Sequence, residues 1–564
     1  MTLKEFINQP NIIQLYSRYS QALANAVEST DYARLGRIVR GNYVVIYIDS
    51  AKVFEFSAAM GSSSEFFADA FGLLGRAAME AAGIAKVREQ PYLGLRGRGT
   101  LIGFIDTGLD YTKTAFQRED GTSRVRYIWD QTLEGKNPEG FLYGAEFTNE
   151  EINAALLEDT PFNLVPSTDA VGHGTFLASV AASSQDGEYL GAAPEADLIV
   201  VKLRRMHNFF YEFYVVPESQ ENAFLGTDIM LAIEYMIDKA AELDMPLSIC
   251  IGLGSNMTGH DGFSNLEEYI ASVSAMRGIC ICAAAGNESN GRRHLSGALR
   301  ETNSTYNAEI RVPENADSFL AWIFVGAANL FSISVKSPLG EAIPRVVAVS
   351  GELTVRKLIL ENATVRVLYH FPVAQTGVEL ISVAIINPTP GIWTVTLHGD
   401  IVLNGKFNIW MHLAGLIFEG IEFLNPNPYT TIVVPATSQG CITCGAYNDK
   451  DNSLYINSSW GPTRTLLRKP DLVAPGVEVT GIRPMDNGTM TGTSVAAAIT
   501  AGACALLLQW GIVEKNEVNL NTSRIKTYLI RGCKREVGVE YPDSKWGYGK
   551  LDLYNTFALL RSYK

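Results

Sequence analysis

The sequence predicts an α/β protein: a parallel sheet flanked by helices, preceded by a small α+β unit and interrupted late by an inserted β-sandwich. Three observations predict it. Short apolar strands and helical stretches alternate from about residue 97 to residue 284, as in a parallel sheet covered on both faces. From about residue 301 to 430, helical periodicity nearly vanishes and alternating β-rich segments take over. The α/β texture then resumes near Thr431.

Composition bounds the rest. A chain of 564 residues exceeds one ordinary core and predicts two or three domains. With 47% hydrophobic and 19% charged residues it is a folded protein rather than a disordered one. A formal net charge of −14 with no basic tract argues against a nucleic-acid partner. The start, Met1 to Phe6, shows no secretory signal, and no charge-free run is expected to be long enough to span a bilayer. A cytoplasmic location is the expectation. Seven cysteines form no disulfide framework, which fits a reducing compartment. Cys441-x-x-Cys444 lacks a second ligand pair and sits in a strand-like run, Thr437 to Tyr447, so core burial is expected. No cofactor or metal is expected, since no compact acidic loop has calcium-ligand spacing.

In chain order, residues 1 to 74 read as a separate unit: helical stretches at Phe6–Ala26 and Ser64–Leu74 flank a strand-like run, Asn42–Ile48. Gly97 to Gly108 leads through a short apolar strand to Asp106, an acid at a strand's C-terminal end where α/β sheets place their sites; a turn aspartate before glycine is the plainer alternative. Residues 110 to 170 are mixed. His173 lies between Gly172 and Gly174, ahead of a helical run Phe176–Ala182, and alone among the seven histidines has this open setting. The other six are expected on the surface or in the core. Strands follow at Ala196–Leu203, Leu247–Leu253 and Gly278–Ala284, and helices at Asp228–Leu243 and Leu266–Met276. The last of these strands runs into Ala285-Gly286-Asn287. Near the C-terminus, Gly492-Thr493-Ser494-Val495-Ala496 opens an Ala-rich helix, whose N-terminal N–H groups favour negative charge beside the hydroxyl. A serine here is also an ordinary N-cap.

Four of these positions together suggest chemistry. A serine hydroxyl needs a base to take its proton, and the base needs a carboxylate to hold it in the right tautomer. Asp106, His173 and Ser494 supply one of each, and Asn287 with the Ser494 N–H supplies donors for an oxyanion. An α/β-hydrolase would need Gly-x-Ser-x-Gly and the serine first in order; here Ala496 stands where the second glycine would be, and the serine comes last.

Asp106-Thr107-Gly108, Gly172-His173-Gly174-Thr175, Ala285-Gly286-Asn287 and Gly492-Thr493-Ser494-Val495-Ala496 resemble the four signatures of subtilisin-like serine proteases, in that family's Asp, His, Ser order. Lys469 to Gly476 and Trp546 to Asp552 add to the resemblance, which covers about residues 85–300 and 431–560. It implies a subtilisin-like endopeptidase acting on a protein or peptide, with Asp106 orienting His173, His173 as base, Ser494 as nucleophile and Asn287 in the oxyanion hole. Leu253 and Gly254 fall where the family pairs the substrate backbone and walls the S1 pocket. Residues 1–74 fall where it carries a propeptide, cut near Leu74-Gly75. Residues 75–300 and 431–564 would then be the two parts of the catalytic domain, with 301–430 inserted.

Ile128-Trp129-Asp130-Gln131, Tyr143-Gly144, Val165 to Asp169 and the late β insertion resemble more closely the clostridial germination (Csp-type) proteases. That resemblance implies a jelly-roll insertion, a propeptide that can remain bound after cleavage, and a spore-associated enzyme that activates a precursor by limited proteolysis. The alternative is a silenced protease-fold scaffold or signalling protein that acts by binding. The insertion itself is expected either to clamp the catalytic domain or to bind partners.

Overall fold

A computed structural model describes the whole chain except residues 1–5, 7, 8, 10, 40–42, 53, 54, 57–74, 91, 185–188, 207, 374, 375, 563 and 564. The chain divides into two compact units, Met1–Leu73 and Leu74–Lys564.

In the first unit, strands Ile12–Arg18, Tyr43–Asp49 and Ala33–Val39 form an antiparallel sheet in that order. Helix Gln21–Glu28 packs Leu23 and Val27 with Ala33, Val44, Ile46, Ile48 and Phe56. This corrects the helix expected over Phe6–Ala26. Ile12, Ile13 and Tyr16 favour an extended chain, and the whole of Ile12–Arg18 pairs with Tyr43–Asp49. A new helix begins only after Ser20, whose hydroxyl accepts the Leu23 N–H at 3.1 Å. The helix expected over Ser64–Leu74 lies outside the described residues.

The second unit is built on an eight-stranded sheet. Its order is Leu472–Pro475, Ile442–Tyr447, Ile279–Ala284, Leu247–Ile251, Leu101–Asp106, Asp197–Lys202, Val125–Asp130, Ala145–Thr148. All neighbours are parallel except the last pair. The strands read as unbroken apolar runs because helices cover both faces. One face packs on His173–Ala182 and Thr493–Leu508, the other on Gly226–Glu242 and Asn265–Val273. The stretch expected to be mixed holds the last two strands of the sheet and a helix, Asn149–Leu156. Thr148 caps that helix in a capping box with Glu151.

Every residue of Thr493–Leu508 is buried, which makes it the central helix of this core. The stretch Thr493–Val513 corrects the expectation that no charge-free run reaches membrane-spanning length: it has 21 residues and a mean hydropathy of 1.8. In the fold, 89% of its apolar window is buried. A helix apolar on all sides is what a site at the middle of a core requires.

Between residues 294 and 423 the chain forms two antiparallel sheets packed face to face. The larger has the order His294–Ala298, Lys406–Met411, Ser318–Val325, Glu379–Ile386, Thr364–His370, Leu353–Lys357. The smaller has the order Ala342–Val346, Leu330–Lys336, Gly391–Ile401, Thr305–Val312, Glu422–Phe423. Alternating residues such as Phe319, Ile323, Phe331, Trp393 and Phe407 fill the space between them. The outer face of the larger sheet presents Leu320, Trp322, Phe324 and Trp410, which pack with Val215 and Met257 of the α/β part. The Trp410 ring is stacked between His260 and His294, at centroid distances of 4.2 and 4.8 Å. Burial pushes His260 down to about 3 and His294 to about 4, so both imidazoles pack as neutral rings.

Candidate active site

Asp106 closes strand Leu101–Asp106 and is 1% exposed. Its Oδ1 accepts the Thr107 N–H at 2.8 Å, and the chain turns at Gly108 with φ of +118°. A side chain at Gly108 would meet the Thr168 carbonyl at 2.8 Å, so only glycine fits this turn.

His173 is the first residue of helix His173–Ala182, entered through Gly172 at φ +81°. Asp169 fixes that entry. Its carboxylate accepts the Gly172 N–H at 2.8 Å, the Thr175 N–H at 2.8 Å and the Thr175 hydroxyl at 2.7 Å. It also takes the Thr107 hydroxyl at 2.8 Å, and the same hydroxyl accepts the Gly174 N–H at 3.1 Å. The loop carrying Asp106 and the helix carrying His173 are thus tied together through one buried acid.

The His173 ring lies with Nδ1 2.8 Å from Asp106 Oδ1 and Nε2 3.2 Å from Ser494 Oγ. A carboxylate only accepts, so Nδ1 carries the proton and Nε2 faces the serine with its lone pair. Burial lowers the proton affinity of the ring, but the Asp106 charge and hydrogen bond, with Asp169 adding to them, raise its pKa above 6.5.

Ser494 stands in the first turn of its helix, where backbone N–H groups have no intrahelical partner. Asn287 follows strand Ile279–Ala284 and is oriented by the residue beside the serine. Its Oδ1 accepts the Thr493 N–H at 3.1 Å and the Thr493 hydroxyl at 3.2 Å, which leaves Nδ2 as a donor with no hydrogen-bond partner among the described residues. That donor converges with the serine: a point one bond from Gly492 Cα is 3.4 Å from Ser494 Oγ and 3.5 Å from Asn287 Nδ2.

Leu253 and Gly254 follow strand Leu247–Ile251, with Leu253 packed at the margin of the core. The expected strand Leu247–Leu253 ends earlier, because Gly252 leaves the sheet to pass under the histidine. A Cβ at Gly252 would lie 3.2 Å from Asp106 Oδ2 and 3.3 Å from His173 Cε1. The structure therefore brings Asp106, His173, Ser494 and Asn287 to one place, with Gly252 beneath the His173 ring and Leu253 and Gly254 following it in the chain. Sequence reasoning missed Asp169, Thr493 and Gly252, although Asp169 stands only four residues before His173.

Cys441 and Cys444 are buried and unpaired by disulfides. The sulfurs of Cys280 and Cys282, on strand Ile279–Ala284, and of Cys504, on the serine-bearing helix itself, lie within 4.8 Å of one another, a grouping the sequence pattern did not reveal.

Residues 97–377 and 420–549 match the model of the subtilase family, more than half of the chain. The chain is similar to the solved structure of the Clostridium perfringens CspB protease. The two share 31% identity at a TM-score of 0.76, over 86% of this chain and 99% of that one. Among curated proteins it is 34% identical over 164 residues to membrane-bound transcription factor site-1 protease of Homo sapiens, over 28% of this chain and 15% of that protein. It is 36% identical over 126 residues to serine protease AprX of Bacillus subtilis (strain 168), over 19% of this chain and 27% of that protein.

Proposed function

We propose that this chain, which belongs to the subtilase family and is a subtilisin-like serine protease, cuts peptide bonds with Ser494 as nucleophile, His173 as general base and Asp106 as the group that orients the base. The observation that carries these roles is the continuous path from Asp106 Oδ1 through the His173 ring to Ser494 Oγ, at 2.8 and 3.2 Å. Nε2 takes the serine proton as Oγ attacks the carbonyl, and the imidazolium is stabilised by the Asp106 charge. The oxyanion receives Asn287 Nδ2 and the Ser494 N–H at the positive end of a helix. Collapse of this intermediate passes the proton from His173 to the leaving amine and leaves an acyl-serine, which water hydrolyses with His173 again as base. Leu253 and Gly254 take the substrate backbone as an added strand and wall the pocket for the residue before the cut bond (P1).

The substrate is a protein, and the first is the chain itself. Residues 1–74 are a propeptide with a core of its own, severed near Leu74-Gly75 and retained after the cut. Residues 301–430 are a jelly-roll insertion that clamps the catalytic domain. By the resemblance of its sequence motifs to the clostridial germination proteases, the chain acts in the cytoplasm or the spore, where it activates a precursor by limited proteolysis, as in germination.

A fluorophosphonate probe tests the site. The wild type should label on a single serine, and Ser494→Ala should not label while keeping the wild-type melting temperature. A wild type that stays unlabelled after its propeptide is removed would favour a silenced scaffold.

A further inference from the structure

We infer that Val433 fills the P1 pocket and restricts the enzyme to substrates with a small P1 side chain, such as alanine, serine or glycine, so that the propeptide cut near Leu74-Gly75 falls after a small residue of that stretch, such as Gly75 or Ala77, rather than after Leu74. This rests on the proposed role of Leu253–Gly254 as one wall of that pocket.

Two segments flank Ser494. One runs through Gly252 beneath His173 and on to Gly254; the other runs through Gly286 to Asn287, beside the serine helix. Glycines on both walls would ordinarily open a cleft between them. Here Val433 occupies it. A Cβ on Gly254 would overlap a Val433 methyl and lie 3.0 Å from Val433 Cβ, and one on Gly286 would lie 2.5 Å from Val433 Cγ1. One isopropyl group therefore touches both walls at once.

Val433 cannot readily back out. Its N–H donates to Ala285 O at 2.9 Å on the Gly286 side. Val434 exchanges two bonds with Ser255 on the Gly254 side, each 2.9 Å. The space behind Gly286 is closed by Ser459, whose N–H donates to Gly286 O at 2.9 Å. Val433 is 2% exposed, and a β-branched side chain has few rotamers to choose from. A large P1 group would have to displace packed atoms, and overpacking of this kind is costly.

The experiment compares kcat/KM for a peptide series that differs only in P1 (Ala, Val, Leu, Phe), using the wild type, Val433→Ala and Val433→Gly. Fluorophosphonate labelling and thermal melts of all three accompany it. One methylene in such a pocket is worth about 10–200-fold, so the wild type should favour P1 Ala over P1 Phe by about 100-fold or more. Val433→Gly should raise P1 Phe by about 100-fold and reverse the order, and Val433→Ala should move it by about 10-fold. A labelled wild type that cuts P1 Phe as well as P1 Ala would overturn the role of Val433 alone. So would folded, labelled variants with an unchanged ratio. A wild type that neither labels nor cuts any member of the series would overturn the reading of the site, and the pocket assignment with it.

Discussion

Replacing Asp106 by Asn removes one charge from a buried site and changes almost no volume. The geometry leaves the new amide two orientations, and both are poor. If its oxygen stays where Oδ1 now accepts the Thr107 N–H at 2.8 Å, the NH2 takes the place of Oδ2, which has no hydrogen-bond partner among the described residues. A buried unsatisfied donor of that kind costs about 1–3 kcal/mol. If the amide flips, the NH2 faces both the Thr107 N–H and His173 Nδ1. The ring proton then moves to Nε2, and His173 can no longer accept from Ser494. The expected loss in kcat is about 10⁴-fold, roughly 5 kcal/mol of transition-state stabilisation. The pH profile gives a second readout. Asp106 is what holds the His173 pKa above 6.5 against burial, and activity requires the neutral ring. The wild-type acid limb should therefore have its midpoint above pH 6.5, and Asp106→Asn should move it down. Peptide hydrolysis from pH 5 to 9, with intact protein confirmed by circular dichroism, measures both. A loss smaller than about 10-fold, or an unmoved acid limb, would refute the role assigned to Asp106.

Two further substitutions probe separate parts of the account. Asn287→Ala removes the donor face that Thr493 orients and should lower kcat by about 10²–10³ with little change in KM; a rise in KM at constant kcat would make Asn287 a binding residue instead. Trp410→Ala empties the space between the His260 and His294 rings, and large-to-small changes of this kind cost about 3–5 kcal/mol. Thermal unfolding should shift down for the whole Leu74–Lys564 unit if the β-sandwich clamps it, whereas an unchanged melt would argue that the sandwich serves binding alone.

Asp106, His173, Asn287 and Ser494 were legible because each sits in a short local signature at the end of a strand or the start of a helix. The residues that position them were not. Asp169 acts by collecting donors from two separate segments, and Thr493 orients an amide 206 positions away in the chain. Gly252 matters because an imidazole passes over it. None of these contacts has a local pattern. The same cause explains the errors of fold. Ile12–Arg18 is extended because Tyr43–Asp49 lies beside it, a partner no local window contains. Thr493–Val513 has the composition of a membrane span because a helix at the centre of a large core is apolar all round. The alternation of strands and helices, in contrast, depends only on local periodicity, and it read correctly through the central sheet.

The central claim is that Ser494 cuts peptide bonds, beginning with those of its own chain. Intact-mass analysis of the purified wild type beside Ser494→Ala tests it most directly. The account predicts two fragments for the wild type, with masses summing to the full chain plus one water, and a single uncut chain for Ser494→Ala. Fragments from the Ser494→Ala protein, or an uncut wild type, would contradict it.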